Sequence, residues 1–268
     1  MSEALGPRST TATGSWEQLR QLTQARVGLG RAGDSLPTRA VGELRAAHAA
    51  ARDAAHVDLD TAALVDALRE AGLGEVPVVT SRAADRATYL RRPDLGRQLH
   101  PDVHLDAQPA RIGILLADGL SPQAVATHGV ALVRRLVDVL GEESSVATPV
   151  LATQARVALG DQVGEQLGVE TMLVVIGERP GPSAVNSLGI YITHQPRPGR
   201  HDAERNCISN VRPPRGVGYQ QAAVTTLRLV RRMRELGRSG VDVKDVAEPA
   251  PPHQPTSTGG PGEQFAVG

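Results

Sequence analysis

Apolar positions recur at two different periods along the chain, and the change falls near residue 100. Between 16 and 100 the spacing is mostly helical. Trp16, Leu19 and Leu22 share one face of a short helix, and Pro37 and Thr38 precede an alanine-rich segment, Arg39–His56. Asp60 is placed to cap a further helix that ends at Gly72. Between 101 and 246 strand and helix patterns alternate. Ile112–Ala117 has the length and composition of a buried strand, and it runs into Asp118-Gly119-Leu120-Ser121. Ser121 suits an N-cap and Pro122 a first helical position, after which Val125, Gly129, Leu132, Leu136 and Val139 line one face. A weak strand follows at Thr148–Ala152, then a helix at Val157–Leu167, strands at Met172–Ile176 and Leu188–Thr193, and a closing helix bearing Ala223, Leu227, Val230 and Met233. The pattern predicts an α/β protein: a mainly helical N-terminal region, 16–100, then a Rossmann-like α/β domain, 101–246, with a mostly parallel sheet. Residues 1–15 and 247–268, rich in Ser, Thr, Gly and Pro without a period, read as disordered tails.

Composition narrows the functions open to such a fold. The 29 basic residues are matched by 29 acidic ones, which excludes the charge footprint of a non-specific nucleic-acid binder. No apolar run reaches a membrane-spanning length and the first residues contain no apolar signal core, so a soluble, cytoplasmic protein is expected. A single cysteine forbids an internal disulfide and any multi-cysteine metal site. With 2% aromatic residues the core must be Leu, Val, Ile and Ala.

Most motif-like stretches point to no chemistry. Gly28-Leu-Gly30-Arg-Ala-Gly33 matches G-x-G-x-x-G, but a helical period precedes it where the dinucleotide fingerprint needs a strand. Lys244, the sole lysine, follows no glycine-rich loop. Asp102-Val-His104-Leu-Asp-Ala107 nearly matches the D-x-H-x-x-G by which some cobalamin proteins offer a histidine to cobalt, yet Ala107 replaces the glycine, and His104 is read as a surface residue. The other histidines are scattered, His48 and His56 too far apart on one helix to share an ion. Cys207 with His201 nearby is read as a small contact residue rather than a nucleophile, and Arg228, Arg231, Arg232 and Arg234 as a solvated helix face. Two turns hold more interest: Ala117–Ser121 and Gly177-Glu178-Arg179-Pro180-Gly181 each follow a strong strand. Ligands of open α/β sheets bind outside the carboxyl ends of parallel strands, so both turns should face one crevice if those strands are adjacent. With Arg156–Asp161 and Arg205–Asn210 nearby, these segments are dense in donors and acceptors and poor in acid–base pairs. That suits a binding wall for a large polar ligand, with a stand-alone nucleotide-binding enzyme or a shell-associated protein as alternatives.

Eight collinear blocks carry a resemblance: LGRAGDSLPT (29–38), RPDLGR (92–97), ADGLS (117–121), RVALGD (156–161), IGERPG (176–181), NSLGIYIT (186–193), GRHDAERNCISNVRP (199–213) and GVDVKD (240–245). By these the chain closely resembles the small (light) subunits of ethanolamine ammonia-lyase. The resemblance implies a subunit that is not active alone. Its large partner, a TIM barrel, would carry the adenosylcobalamin-dependent radical conversion of ethanolamine to acetaldehyde and ammonia, in a hetero-oligomer of six large and six small subunits. It implies base-on cobalamin, with no catalytic residue and no metal ligand from this chain, and cofactor contacts at Val157, Glu178 and Cys207. It also implies cytoplasmic location, inside a bacterial microcompartment where one is built. Asn186, Ala155 and His194 depart from the family's usual Asp, Gly and Trp.

Overall fold

Six apolar or glycine positions in a row at 112–117 suit only a strand covered on both faces, and the fold is built around that strand. The computed structural model describes residues 11–245. The chain opens with α1 (Thr11–Leu22), α2 (Thr38–His56), α3 (Thr61–Glu70) and β1 (Val78–Thr80), followed by α4 (Arg86–Arg91) and α5 (Pro93–Gly96). The central strand β2 (Ile112–Ala117) leads into α6 (Pro122–Ala124), a π-helical turn at Val125–Gly129, and α7 (Val130–Gly141). Then come β3 (Val150–Thr153), α8 (Leu159–Leu167), β4 (Thr171–Gly177), β5 (Leu188–His194), a 3-10 turn at Asp202–Glu204, β6 (Asn206–Val211) and α9 (Tyr219–Leu236). The tails expected at 1–15 and 247–268 lie outside the described residues, except for 11–15, which belong to α1.

The strands lie in the order β1-β3-β2-β4-β5-β6. The pairings among β1, β3, β2 and β4 are parallel, and those of β4 with β5 and β5 with β6 are antiparallel. The mixed, mostly parallel α/β sheet is thus as read from the pattern, with an antiparallel pair added at one edge. The two anticipated caps are made: the Asp60 side chain accepts from Ala63 N at 3.0 Å, and Ser121 Oγ from Ala124 N at 3.2 Å. Two strands escaped the pattern. β1 is only three residues long and draws the segment before residue 100 into the sheet. β6 is polar because it is an edge strand: Ile208 and Val211 point into the core while Cys207 and Ser209 are exposed.

The sheet separates two apolar layers. On one face, Ile114, Leu116, Leu173, Val175, Ile190 and Ile192 pack beneath α7 and α9. On the other, Leu115, Ala117, Val150, Ala152, Val174 and Ile176 pack beneath α8. α9 reaches across β5 and β6, whereas α8 lies against β4 and β2. Further along α8's face, Tyr191 is therefore only half-buried and Cys207 is exposed. α2 stands apart from both layers: of its 19 residues only Ala40, Ala51 and Ala54 are buried.

Candidate functional site

Register places the site. Leu115 pairs with Val174, Val174 with Tyr191 and Tyr191 with Cys207, a single row across β2, β4, β5 and β6. Side chains alternate along a strand, so Ile176 and Glu178 share that face with Val174, and Gly189 shares it with Tyr191. Val157, in the turn before α8, packs half-buried against the same apolar layer that Tyr191 borders. The three residues singled out from the sequence, Val157, Glu178 and Cys207, thus lie on one side of the sheet, at and beyond the rim of α8.

Glu178 is the polar centre of this strip. Its Oε2 accepts from Ser187 Oγ at 2.6 Å and from the backbone N–H of Asn210 at 3.1 Å, and its Oε1 accepts from Ser209 Oγ. The ion pair with Arg179, which is the plain alternative for such a residue, is absent among the described residues; neutral donors hold the carboxylate instead. Burial pushes the neighbouring Tyr191 hydroxyl up to about 12. The Cys207 thiol is also raised, first by desolvation, with Glu178's charge adding to it and Tyr191's side chain opposing it. A raised thiol is protonated at neutral pH and a poor nucleophile. His201 instead caps the 3-10 turn, its side chain taking the backbone at Glu204 and its backbone N–H donating to Glu204 Oε2 at 2.7 Å. His104 sits exposed in a loop, and among the described residues no group of three or more His, Cys, Asp or Glu could hold a metal ion.

The crevice expected between the two turns is corrected by the structure. β2 and β4 are adjacent and parallel, and their turns do meet, but through backbone contact. Leu120 N–H donates to Gly177 O at 2.9 Å. Gly119 has φ 57°, and a Cβ there would come within 2.3 Å of Gly177 O. This close approach, with the Ile176 side chain against Gly119, closes the two turns on each other where a nucleotide would enter an open sheet. The seal is reinforced below by Asp118, which is buried and accepts from Gln154 N at 2.8 Å, Ala155 N at 2.9 Å and Arg86 Nη1 at 3.3 Å. Desolvation raises Asp118 to about 6. Arg86 and Arg156 flank the Tyr89 ring at 4.8 and 4.4 Å, which ties α4 to this junction.

A second buried pair aligns the strip itself. Arg205, one residue before β6, makes a bidentate contact with Asp161 on α8 at 2.6 and 2.7 Å and also donates to Thr193 Oγ1 at 2.8 Å. This pair fixes α8, and the Val157 turn before it, against the strand that carries Cys207. Sequence reading had Arg205 within a donor-rich segment but did not see its role. It also missed Tyr191, although a lone aromatic alternating with Gly189 in an apolar strand is a signal that one position faces something other than core. Of the α9 arginines expected to form a solvated face, Arg231 and Arg232 are exposed, whereas Arg228, paired with Asp245 at 2.7 Å, and Arg234, 3.6 Å from Glu170, are partly covered.

The arrangement defines an α/β chain whose polar strip lies uncovered beside the antiparallel edge of its sheet. Comparison with known proteins is more specific than the fold. The family model of the ethanolamine ammonia-lyase light chain (EutC) matches residues 13–244. The small subunit of ethanolamine ammonia-lyase from Rhodococcus erythropolis is 56% identical over 232 residues, covering 87% of this chain and 90% of that one. The small subunit from Azotobacter vinelandii is 47% identical over 255 residues, covering 92% and 94%. The chain belongs to the ethanolamine ammonia-lyase light-chain family, and it is accordingly a small subunit of that lyase. No helix among the described residues is long and apolar enough to cross a membrane.

Proposed function

We propose that this chain, joined to a large partner subunit, completes an adenosylcobalamin-dependent ethanolamine ammonia-lyase by supplying part of the wall that holds the cofactor. The observation that carries this is the uncovered strip on β4, β5 and β6, where Glu178 and Cys207 stand beside Tyr191 on a face that α8 leaves bare. A corrin presents a broad apolar surface edged with amide side chains, so its wall needs small, weakly polar residues beneath and an acceptor at the rim. The residues present fit. Cys207 and Val157 offer small contacts, and Glu178, with three lone-pair positions already filled, retains acceptor capacity for an amide N–H. When bound, the cofactor supplies the organic radical that starts the lyase reaction, and the large subunit holds ethanolamine. This chain orients and shields. Its thiol, raised by desolvation, is a poor nucleophile and serves as packing surface.

The same reading gives base-on cobalamin without a histidine from this chain, a hetero-oligomer of six large and six small subunits, and a location in the cytoplasm or in a microcompartment enclosed there. Reconstitution tests it. The chain with adenosylcobalamin alone should produce no acetaldehyde from ethanolamine, and adding the large subunit should restore turnover. Cys207→Trp, whose ring would fill the strip from an exposed position, should abolish cobalamin binding by the reconstituted complex while the melting temperature stays unchanged. Cobalamin affinity equal to the parent's in that variant would refute the assignment of the wall.

A further inference from the structure

A different cleft opens on the far side of Asn210. This residue has φ 61° although it is not glycine, a strained conformation that its surroundings must hold in place. Its backbone N–H reaches Glu178, while its Oδ1 accepts from Arg212 Nε at 2.7 Å. Arg212 also donates to Gln24 Oε1 at 2.8 Å, so its guanidinium is fixed between β6 and the segment after α1. The space between them measures about 880 Å³ and is lined by Arg20, Arg26, Arg212 and Arg215. A smaller recess of about 300 Å³ continues from it to His128 and Asn186, sharing Arg212 and Arg215. Among the described residues no carboxylate lines either space.

Arginines elsewhere in this chain commonly find acids, as Arg205 and Arg228 do. Within this cleft only Arg20 does so, pairing with Glu17. Arg26 has nothing better than contacts at 3.4 Å to Pro182 O and Ser183 Oγ. Arg26, Arg212 and Arg215 have no acidic partner within ion-pair distance among the described residues. Gathering such charges around an open space costs energy unless an anion neutralises them. Their effect already reaches His128, which burial and then the Arg212 charge push below the ordinary histidine range. Guanidinium groups converging from two chain segments match the several equivalent oxygens of phosphate better than a single carboxylate. We infer that this cleft is a binding site for the phosphate group of a small molecule, held by Arg26, Arg212 and Arg215. The site is separate from the strip of Val157, Glu178 and Cys207, and its existence does not depend on that assignment.

The probe is inorganic pyrophosphate, titrated calorimetrically into the full chain at low and moderate salt. Saturable binding that weakens with salt is expected. Arg215→Gln should weaken it about tenfold, the worth of one charge-assisted hydrogen bond, and Arg212→Gln together with Arg215→Gln should remove it. The Arg215 side chain makes no hydrogen bond among the described residues, so its replacement should leave the melting temperature unchanged; Arg45→Gln on the exposed face of α2 should bind as the parent does. Two competitors identify the source of the phosphate. Displacement by cyanocobalamin, which carries a phosphodiester, but not by cobinamide, which lacks it, would assign the site to the cofactor. Displacement by neither would assign it to a separate phosphorylated metabolite, and both results support a phosphate site. Absence of saturable binding, or equal binding by parent and double variant, overturns the inference. So does loss of pyrophosphate binding on adding the large subunit without cofactor, since an acidic surface of that subunit would then be the occupant.

Discussion

At the end of β2 and β3, Asp118 is buried and takes two backbone N–H groups and a buried arginine; at the end of β4, Glu178 takes one N–H and two serine hydroxyls beside an exposed strand. Both are carboxylates just beyond parallel strands, and both stitch neighbouring loops together. Their surroundings divide them. The β2–β4 junction closes by backbone contact, so Asp118 has no access to a ligand and acts as a brace. β5 pairs antiparallel with β4, and β6 antiparallel with β5, and both extend past α8, so Glu178 remains at a rim. The position of a carboxylate at a strand end is therefore no guide to binding until the cover above it is known.

The sharpest way to break this contrast is to remove the pair that holds α8 to β6. Asp161→Ala leaves Arg205 buried without its carboxylate, and loss of one partner of a buried pair costs about 3–5 kcal/mol. Denaturant unfolding should show a loss of that size, larger than for any change on the strip. Asp118 comes next, through pH. Folding raises its pKa to about 6, so the folded chain holds the proton more tightly than the unfolded chain does. The stability from that group is complete below the ordinary carboxylate value and is lost as pH rises through about 6, by on the order of 2–3 kcal/mol. The melting temperature of Asp118→Asn, measured against pH, should lack this decline between about pH 4 and 6, whatever its absolute stability. A parent and variant with parallel pH profiles would contradict the burial argument.

Glu178→Gln should do the reverse, sparing the fold and touching the ligand. Serine hydroxyls can turn to accept from an amide, so stability should change little, while a charged acceptor worth about 1.5–3 kcal/mol is lost. Cobalamin titration of the reconstituted complex should show affinity falling roughly ten- to a hundred-fold. Glu178→Ala is the poorer test, since it strands Ser187, Ser209 and the Asn210 N–H. Smallest of all, Cys207→Ser keeps the volume at an exposed position, and its affinity should stay within about threefold of the parent, under 1 kcal/mol. A large loss would mean that the thiol does more than pack.

Much of this was legible along the chain. The unbroken apolar run of β2, the period of α7 and α9, and the Asp60 and Ser121 caps are local signals, and local physics settles them. β1 and β6 were not legible. A three-residue strand has no measurable period, and the Asn206–Val211 pattern reads as a polar loop until Ile190 is seen opposite Ile208. The site split the same way. Family blocks pointed to Val157, Glu178 and Cys207, but their common face follows from register, and the donors around Glu178 come from two other segments.

Residue order by itself determined the α/β class, the main elements, the family and the exclusion of an internal disulfide, because each depends on residue types and short spacings. Only the tertiary structure decided that the two conspicuous turns seal rather than open, and that Asp161 and Arg205 neutralise each other in the interior. It also decided that arginines at 26, 212 and 215 gather where no acid answers them. Those outcomes depend on which distant segments meet, and a hydrogen bond or a close backbone approach across the fold leaves no period in the chain.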